Sequence, residues 1–433
     1  MSRKDSGQAG GRATPVSSQR TLLDLLTRLH LYIGLFIGPL ILIAALTGVI
    51  YVLTPEIEDA LYSEQLTTSN TGPTKPLAEQ IRAALQFIHS DELPMAVRPA
   101  PTPGETTRVI FKDPAKDSNQ GIFIDPANLE VKGDLDVYGT SGILPFRIAI
   151  DFFHRHLLLG HYGRIYSEVA ASWMWVGALS GCILWFVRYR RARKVEPVRH
   201  KHNLIGLWIA LGMLFFSATG LTWSNWAGER INMVRQQLNW VTPSVNRTLA
   251  EPVNDNQASV DMFDTALQVA RENGIEANKL EINPAMNANQ SWSVKEIDRA
   301  WPTQVDAVSI DPSTLSVIDA ARFADYPMVA KLIRWGIDAH MGVLFGLPNR
   351  LLLAAFGCAL IVLIIYGYRL WWRHRSQRKT LMIDSWLQLS WPTRARLLMV
   401  VALLSAFMPL LGISLIGFVM IDYFRWRYLA RTA

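Results

Sequence analysis

Cysteine is nearly absent: the 433 residues hold two, Cys182 and Cys358. Both lie inside long apolar runs, which makes them helix-packing residues and leaves no disulfide framework or redox pair. No Cys-x-x-Cys-His occurs, so no cofactor is tethered through that motif. No Gly-rich nucleotide loop, metalloprotease motif or Ser-His-Asp set stands out either. Charge is scarce too, at 18% of residues, and its placement is what carries information.

What fills the chain instead is apolar: half of it is hydrophobic. Runs near 30–53, 165–187, 203–223 and 350–372 each approach the roughly 20 residues needed to cross a bilayer. A fifth region, 397–424, is interrupted by Pro409 and Gly412. Arg394 and Arg396 precede it and Arg425 and Arg427 follow it, which favours a short hairpin over a single kinked helix. Arg188, Arg190, Arg191, Arg193, Lys194, Arg199 and Lys201 crowd the loop between the second and third runs. Arg369, Arg373, Arg375, Arg378 and Lys379 follow the fourth, and Arg20 and Arg28 precede the first. The two long segments after the first and third runs carry more acid than base. By the positive-inside rule the N-terminus and the short loops are cytoplasmic, and the two long segments lie outside. The net charge of +7 thus follows membrane topology and calls for no nucleic-acid partner. The first run is too long for a signal-peptide apolar region and reads as a retained span. Residues 1–20, rich in Gly, Ser and Arg, read as disordered.

The chain repeats itself. His30-x3-Gly34 with Thr47-Gly48 recurs as His202-x3-Gly206 with Thr219-Gly220, every position offset by 172. His154-x5-Gly160-x3-Arg164 with Gly181-x2-Leu184-Trp185 recurs as His340-x5-Gly346-x3-Arg350 with Gly367-x2-Leu370-Trp371, offset by 186. The outer segments share Ile124-Asp125-Pro126 and Ile310-Asp311-Pro312 at the same 186. Asp-Pro followed by polar residues is turn chemistry between strands. Residues 77–88 and 262–271 have helical patterning; 109–112, 121–124, 291–295 and 306–310 read as strands. Each outer segment is therefore expected to be a small α+β domain. The organisation reads as follows: span one at 21–54, outer domain 55–145, interfacial segment and span two at 146–190, and a basic loop at 191–201. Span three follows at 202–226, the second outer domain at 227–330, interfacial segment and span four at 331–373, a linker at 374–396 and the C-terminal membrane segment at 397–424. Parallel repeats imply a pseudo-two-fold axis along the membrane normal.

A histidine in a membrane span is costly and marks function by default. The symmetry axis sets His30 opposite His202 near the cytoplasmic face, and His154 opposite His340 near the outer face. Two imidazoles facing across an axis suit six-coordinate haem iron, and zinc would want a cluster of four ligands that is not present. Gly34 stands one turn from His30. Gly48 is 18 residues on, five turns of a straight helix and ~27 Å higher on the same face. Gly206 and Gly220 repeat this for His202. Two readings of the glycines stand: room for a macrocycle, or close helix packing. Arg164 and Arg350 either pair an acid side arm of the cofactor or anchor the interface. In the first copy His156 and His161 compete with His154 as ligand, and His200 competes with His202. The outer ligands sit on a short interfacial helix or on an extended first turn of the span.

These motifs together resemble the PepSY-associated transmembrane proteins over roughly residues 20–375. Among them the chain is similar to inner-membrane ferrisiderophore reductases of Gram-negative bacteria. The resemblance implies a mainly α-helical integral membrane protein: a four-helix core from a tandem repeat, two periplasmic PepSY-like α+β domains and a C-terminal membrane hairpin or kinked helix. It implies two b-type haems, held by His30 with His202 and by His154 with His340, and an oxidoreductase that reduces a periplasmic ferric siderophore. The electron donor would be a separate cytoplasmic reductase or a quinol, since the chain has no flavin or nicotinamide fold. Two alternatives stand: a haem-free, membrane-anchored binding or regulatory protein, and a cytochrome subunit serving another periplasmic acceptor.

Overall fold

The structure, a computed structural model, describes residues 18–189, 196–252, 259–375 and 381–432. Most of the expected disordered N-terminus, and parts of the basic loop at 191–201 and of the linker at 374–396, lie outside the described residues. The described chain is mostly helical, with one antiparallel sheet. In order it holds α1 (Ser18–Tyr32), a π-helical turn (Ile33–Ile37), α2 (Gly38–Leu61), α3 (Ser63–Leu66), α4 (Leu77–Ile88) and strands β1 (Ala96–Arg98), β2 (Thr107–Phe111), β3 (Asn119–Ile124) and β4 (Val131–Val137). Then come α5 (Pro145–His156), α6 (Gly160–Tyr189), α7 (Pro197–Thr222), α8 (Trp226–Gln237) and α9 (Met262–Glu272). Strands β5 (Leu280–Asn283), β6 (Trp292–Glu296), β7 (Ala307–Ile310) and β8 (Val317–Ala321) follow. The chain ends with α10 (Met328–His340), α11 (Gly346–His374), α12 (Met382–Leu387), α13 (Trp391–Phe407) and α14 (Pro409–Thr432).

Five helices among the described residues are long and apolar enough to cross a membrane: Gln19–Leu61, Gly160–Arg188, Pro197–Thr222, Gly346–His374 and Pro409–Arg431. The chain divides into two compact units. One takes in the described residues of Met1–Leu40, Val169–Leu214 and Val362–Ala433; the other is Ile41–Glu168 with Phe215–Ile361.

The first unit is helical. Trp173, Phe418, Tyr32 and Phe36 form an aromatic cluster in it, and Trp173 Nε1 donates to Ser414 Oγ at 2.7 Å. The C-terminal region is a hairpin. The helix breaks at Met408, just before Pro409, whose ring lacks the N–H a continuing helix needs. α14 then returns to the level where α13 began: buried Asp422 accepts the Ile383 N–H of α12 at 2.8 Å and the Tyr32 hydroxyl.

The second unit holds the sheet. Expected as two small domains, the two sets of strands join into one, in the order β4-β3-β2-β1-β5-β6-β7-β8. Each set alone would leave β1 or β5 as an open edge; pairing Val97 with Ile282 removes both. α4 and α9 cover one face. Ile81, Ala84, Phe263 and Ala266 pack there against Val97, Val109, Ile122, Ile282, Trp292, Val294 and Val308. Asp264 of α9 accepts the first N–H groups of α4, from Leu77 and Ala78, at 2.8 and 2.9 Å. This caps one segment's helix with the other's carboxylate. The Asp-Pro turns form as expected: Asp125 Oδ1 accepts the Ala127 N–H, and Asp311 Oδ1 the Ser313 N–H.

On the other face the seam carries a buried ion pair, Arg98 Nε to Glu281 Oε2 at 2.8 Å, with Lys295 on the second oxygen at 2.7 Å. Burial alone would raise the Glu281 pKa. Arg98 and Lys295 overcome it and hold the carboxyl down at about 2, from an ordinary 4.5. A depressed carboxyl stabilises the fold above its unfolded pKa and loses that stabilisation as pH falls through the folded value. Acid titration of the full chain is therefore expected to weaken the sheet from about pH 4.5 down to about pH 2. Glu281→Gln should lose stability near neutrality and flatten that part of the profile, followed by circular dichroism.

Candidate functional site

His30 lies in the last turn of α1 and His202 in the second turn of α7. Their ring centres are 6.4 Å apart, and the ring planes cross at 76°. A metal bonded to a nitrogen of each ring at ~2.0 Å, with roughly 1.1 Å from nitrogen to ring centre, sets the centres roughly 6.2 Å apart. The observed spacing is close to that value.

The hydrogen bonds favour one tautomer. His30 Nδ1 is 2.8 Å from Ser180 Oγ, and Ser180 donates to the Gly177 carbonyl at 3.1 Å. A hydroxyl has one proton. With that proton on Gly177, Ser180 accepts from His30 Nδ1–H. His202 Nδ1 faces the Leu363 carbonyl at 3.1 Å, which can only accept. Both rings thus carry the proton on Nδ1 and a bare lone pair on Nε2, the arrangement of metal-binding histidines.

The same logic applies to His154, in the last turn of α5, and His340, the last residue of α10. His154 Nδ1 is 2.9 Å from Thr47 Oγ1, which donates to the Ile43 carbonyl at 2.8 Å. His340 Nδ1 is 2.7 Å from Thr219 Oγ1, which donates to the Phe215 carbonyl at 2.9 Å. Burial pushes both imidazoles below the usual histidine pKa, and His340, beside His154, to about 3. Both are neutral at physiological pH. Tyr166 fixes the His154 backbone through its carbonyl at 2.7 Å, and Asn349 holds the Ala339 carbonyl at 3.0 Å. Phe216 and Trp223 pack on the His340 ring.

The structure places the remaining candidates as follows. His154 and His340 sit on separate short helices, α5 and α10, the first of the two placements expected, and not on extended first turns of α6 and α11. His156 packs on Phe152 with its Nδ1 buried and unpaired, and His161 lies against Asn225 and Trp226. Neither takes the place of His154 on a threonine. His200 is exposed, so His202 is the residue facing His30. The straight-helix phase from His30 to Gly48 fails, because the π-turn at Ile33–Ile37 inserts an i→i+5 bond from Gly38 N–H to the Ile33 carbonyl. Gly48 instead seats the ring of His154: an added Cβ would meet its Cε1 at 3.5 Å. Gly181 and Gly367 do the same for His30 and His202, at 3.2 and 3.5 Å. Gly34 faces open space, Gly206 touches Leu363, and Gly220 accepts the Trp223 N–H within the last turn of α7. Arg164 donates to the Trp223 carbonyl, and Arg350 pairs with Glu56 at 2.7 Å while its Nε stays unpaired.

Thr47, Thr219 and Ser180 were missed as site residues. Thr47-Gly48 and Thr219-Gly220 were visible as repeated pairs, and the pairing was the signal. Among the described residues no three or more His, Cys, Asp or Glu side chains gather as a metal site. The rings of His30 and His202 meet face to edge.

Long apolar helices and a sheet-bearing unit define a multi-pass membrane protein. The chain belongs to the PepSY-associated TM region family, whose model matches residues 27–374, a stretch that includes all four histidines. No curated protein matches the chain.

Proposed function

We propose that this protein is an inner-membrane reductase carrying two b-type haems, which passes electrons outward to iron(III) held by a siderophore in the periplasm. One observation carries the reading: four half-buried imidazoles, two from each half of the repeat, each with its Nδ1 within hydrogen-bonding distance of a serine or threonine hydroxyl or a backbone carbonyl. His30 with His202, and His154 with His340, would each hold one haem. Bound haem supplies one-electron chemistry across the membrane. The residues hold it and set its electronics. Ser180, Thr47, Thr219 and the Leu363 carbonyl orient the rings and, by accepting from Nδ1–H, make Nε2 a stronger donor. The apolar helices exclude water from both sites.

The charge pattern supports a cytoplasmic His30/His202 end and a periplasmic sheet unit. The donor at the cytoplasmic end is a separate reductase or a quinol. The substrate iron(III) gains one electron; iron(II) binds hard-oxygen chelators poorly and leaves. The test adds a ferric siderophore to dithionite-reduced, desalted protein without oxygen. Reoxidation of the haem, with iron(II) appearing on a ferrous chelator, is expected. Haem that stays reduced favours another periplasmic acceptor. A colourless, folded preparation favours the haem-free binding protein.

A further inference from the structure

A layer of buried polar groups on the helices that carry Thr47 and His154 has no part in the reading above. Tyr51 stands one turn beyond Thr47 on α2, on the same face. It is 8% exposed, and its hydroxyl makes no hydrogen bond of good geometry among the described residues, with only a weak contact to the Arg147 guanidinium. Arg147 stands two turns before His154 on α5, with its guanidinium 4.5 Å from the centre of the Tyr51 ring. It is 9% exposed and its Nε is unpaired. Its carboxylate partner, Glu58, is 4.0 Å away.

Further ion pairs lie in the same unit. Arg299 is tied to Asp338 at 2.6 Å, which Arg334 shares at 3.2 Å, and Asp151 is tied to Arg155 at 2.9 Å. These groups belong to one compact unit. Buried polar groups are normally paired, so a tyrosine hydroxyl and a guanidinium Nε side by side, each without a good acceptor, point to an anion that would bind both.

We propose that Tyr51 and Arg147 form a carboxylate-binding site on the helices that carry Thr47 and His154. A guanidinium and a hydroxyl together match the two oxygens of a carboxylate. Two sources offer that chemistry. One is the acid side arm of a macrocycle held by His154 and His340, which rests on the function proposed above. The other is a free periplasmic carboxylate.

The experiment uses the full chain, prepared haem-free in detergent, as native protein, Tyr51→Phe and Arg147→Gln. Each is titrated with haem, with haem dimethyl ester, whose arms are uncharged, and separately with citrate while the melting temperature is followed. If the side arm is the ligand, native protein binds haem at least roughly tenfold more tightly than the ester, and both variants narrow that gap. If a free carboxylate is the ligand, citrate raises the melting temperature of native protein and not of the variants. The proposal is overturned if haem and ester bind native protein alike while citrate has no effect, or if the variants respond as native protein does. Should neither haem nor ester bind at all, the haem function fails, and the citrate titration alone decides this site. Tyr51→Phe removes one oxygen only, and Arg147→Lys, which keeps the charge, is expected to retain part of the effect.

Discussion

Replacing His340 with alanine is expected to remove one haem of two per chain and to leave the other in place. The ring is buried, its Nδ1 is committed to Thr219, and no second histidine shares its position on α10. With one of its two protein ligands gone, haem at this site would be held more weakly and is expected to be lost on purification. His202→Ala should remove the other haem by the same logic. His156→Ala, His161→Ala and His200→Ala should leave the content unchanged, because the structure brings none of them to a partner ring. A pyridine haemochrome assay of each variant reads this directly. Unchanged content in His340→Ala would sink the assignment of the outer pair.

The second large effect concerns stability. Asp338 is fully buried two residues before His340, and its carboxylate holds both Arg299 and Arg334. Asp338→Ala leaves the Arg299 charge buried without compensation. Breaking such a pair from one side costs about 3–5 kcal/mol, far more than a surface pair contributes. The change should destabilise the sheet-bearing unit by that amount in denaturant unfolding. It should also loosen the end of α10, so the outer haem is lost before the inner one as temperature rises. Destabilisation within ~0.5 kcal/mol of native, the usual range for surface changes, would mean that the pair carries no structural role.

Much of this was legible because membrane physics writes long signals. An apolar run of 20 residues has few other readings, and helices α4 and α9 fall within a residue of their expected bounds. Strands β2, β3, β6 and β7 were visible through alternation and the Asp-Pro turns. Strand β1 was not: three residues, Ala96, Val97 and Arg98, are too short to show a period. Without β1 and β5 the joining of the two strand sets could not be seen, since it depends on one long-range pairing. The four histidines were found because repetition singled them out. The partners of their Nδ1 atoms were not found as such, since a serine, two threonines and a carbonyl carry no signature until the helices are packed. The π-turn after His30 was equally invisible, because Ile33, Gly34, Leu35 and Phe36 suit an α-helix as well.

The most direct measurement is the optical and EPR spectrum of the purified full-length protein with its haem content. Two b-type haems per chain, both low-spin and six-coordinate in the oxidised and reduced states, is the predicted result. Folded protein with no Soret band, or iron that is high-spin and five-coordinate at either site, would contradict the pairing of His30 with His202 and of His154 with His340.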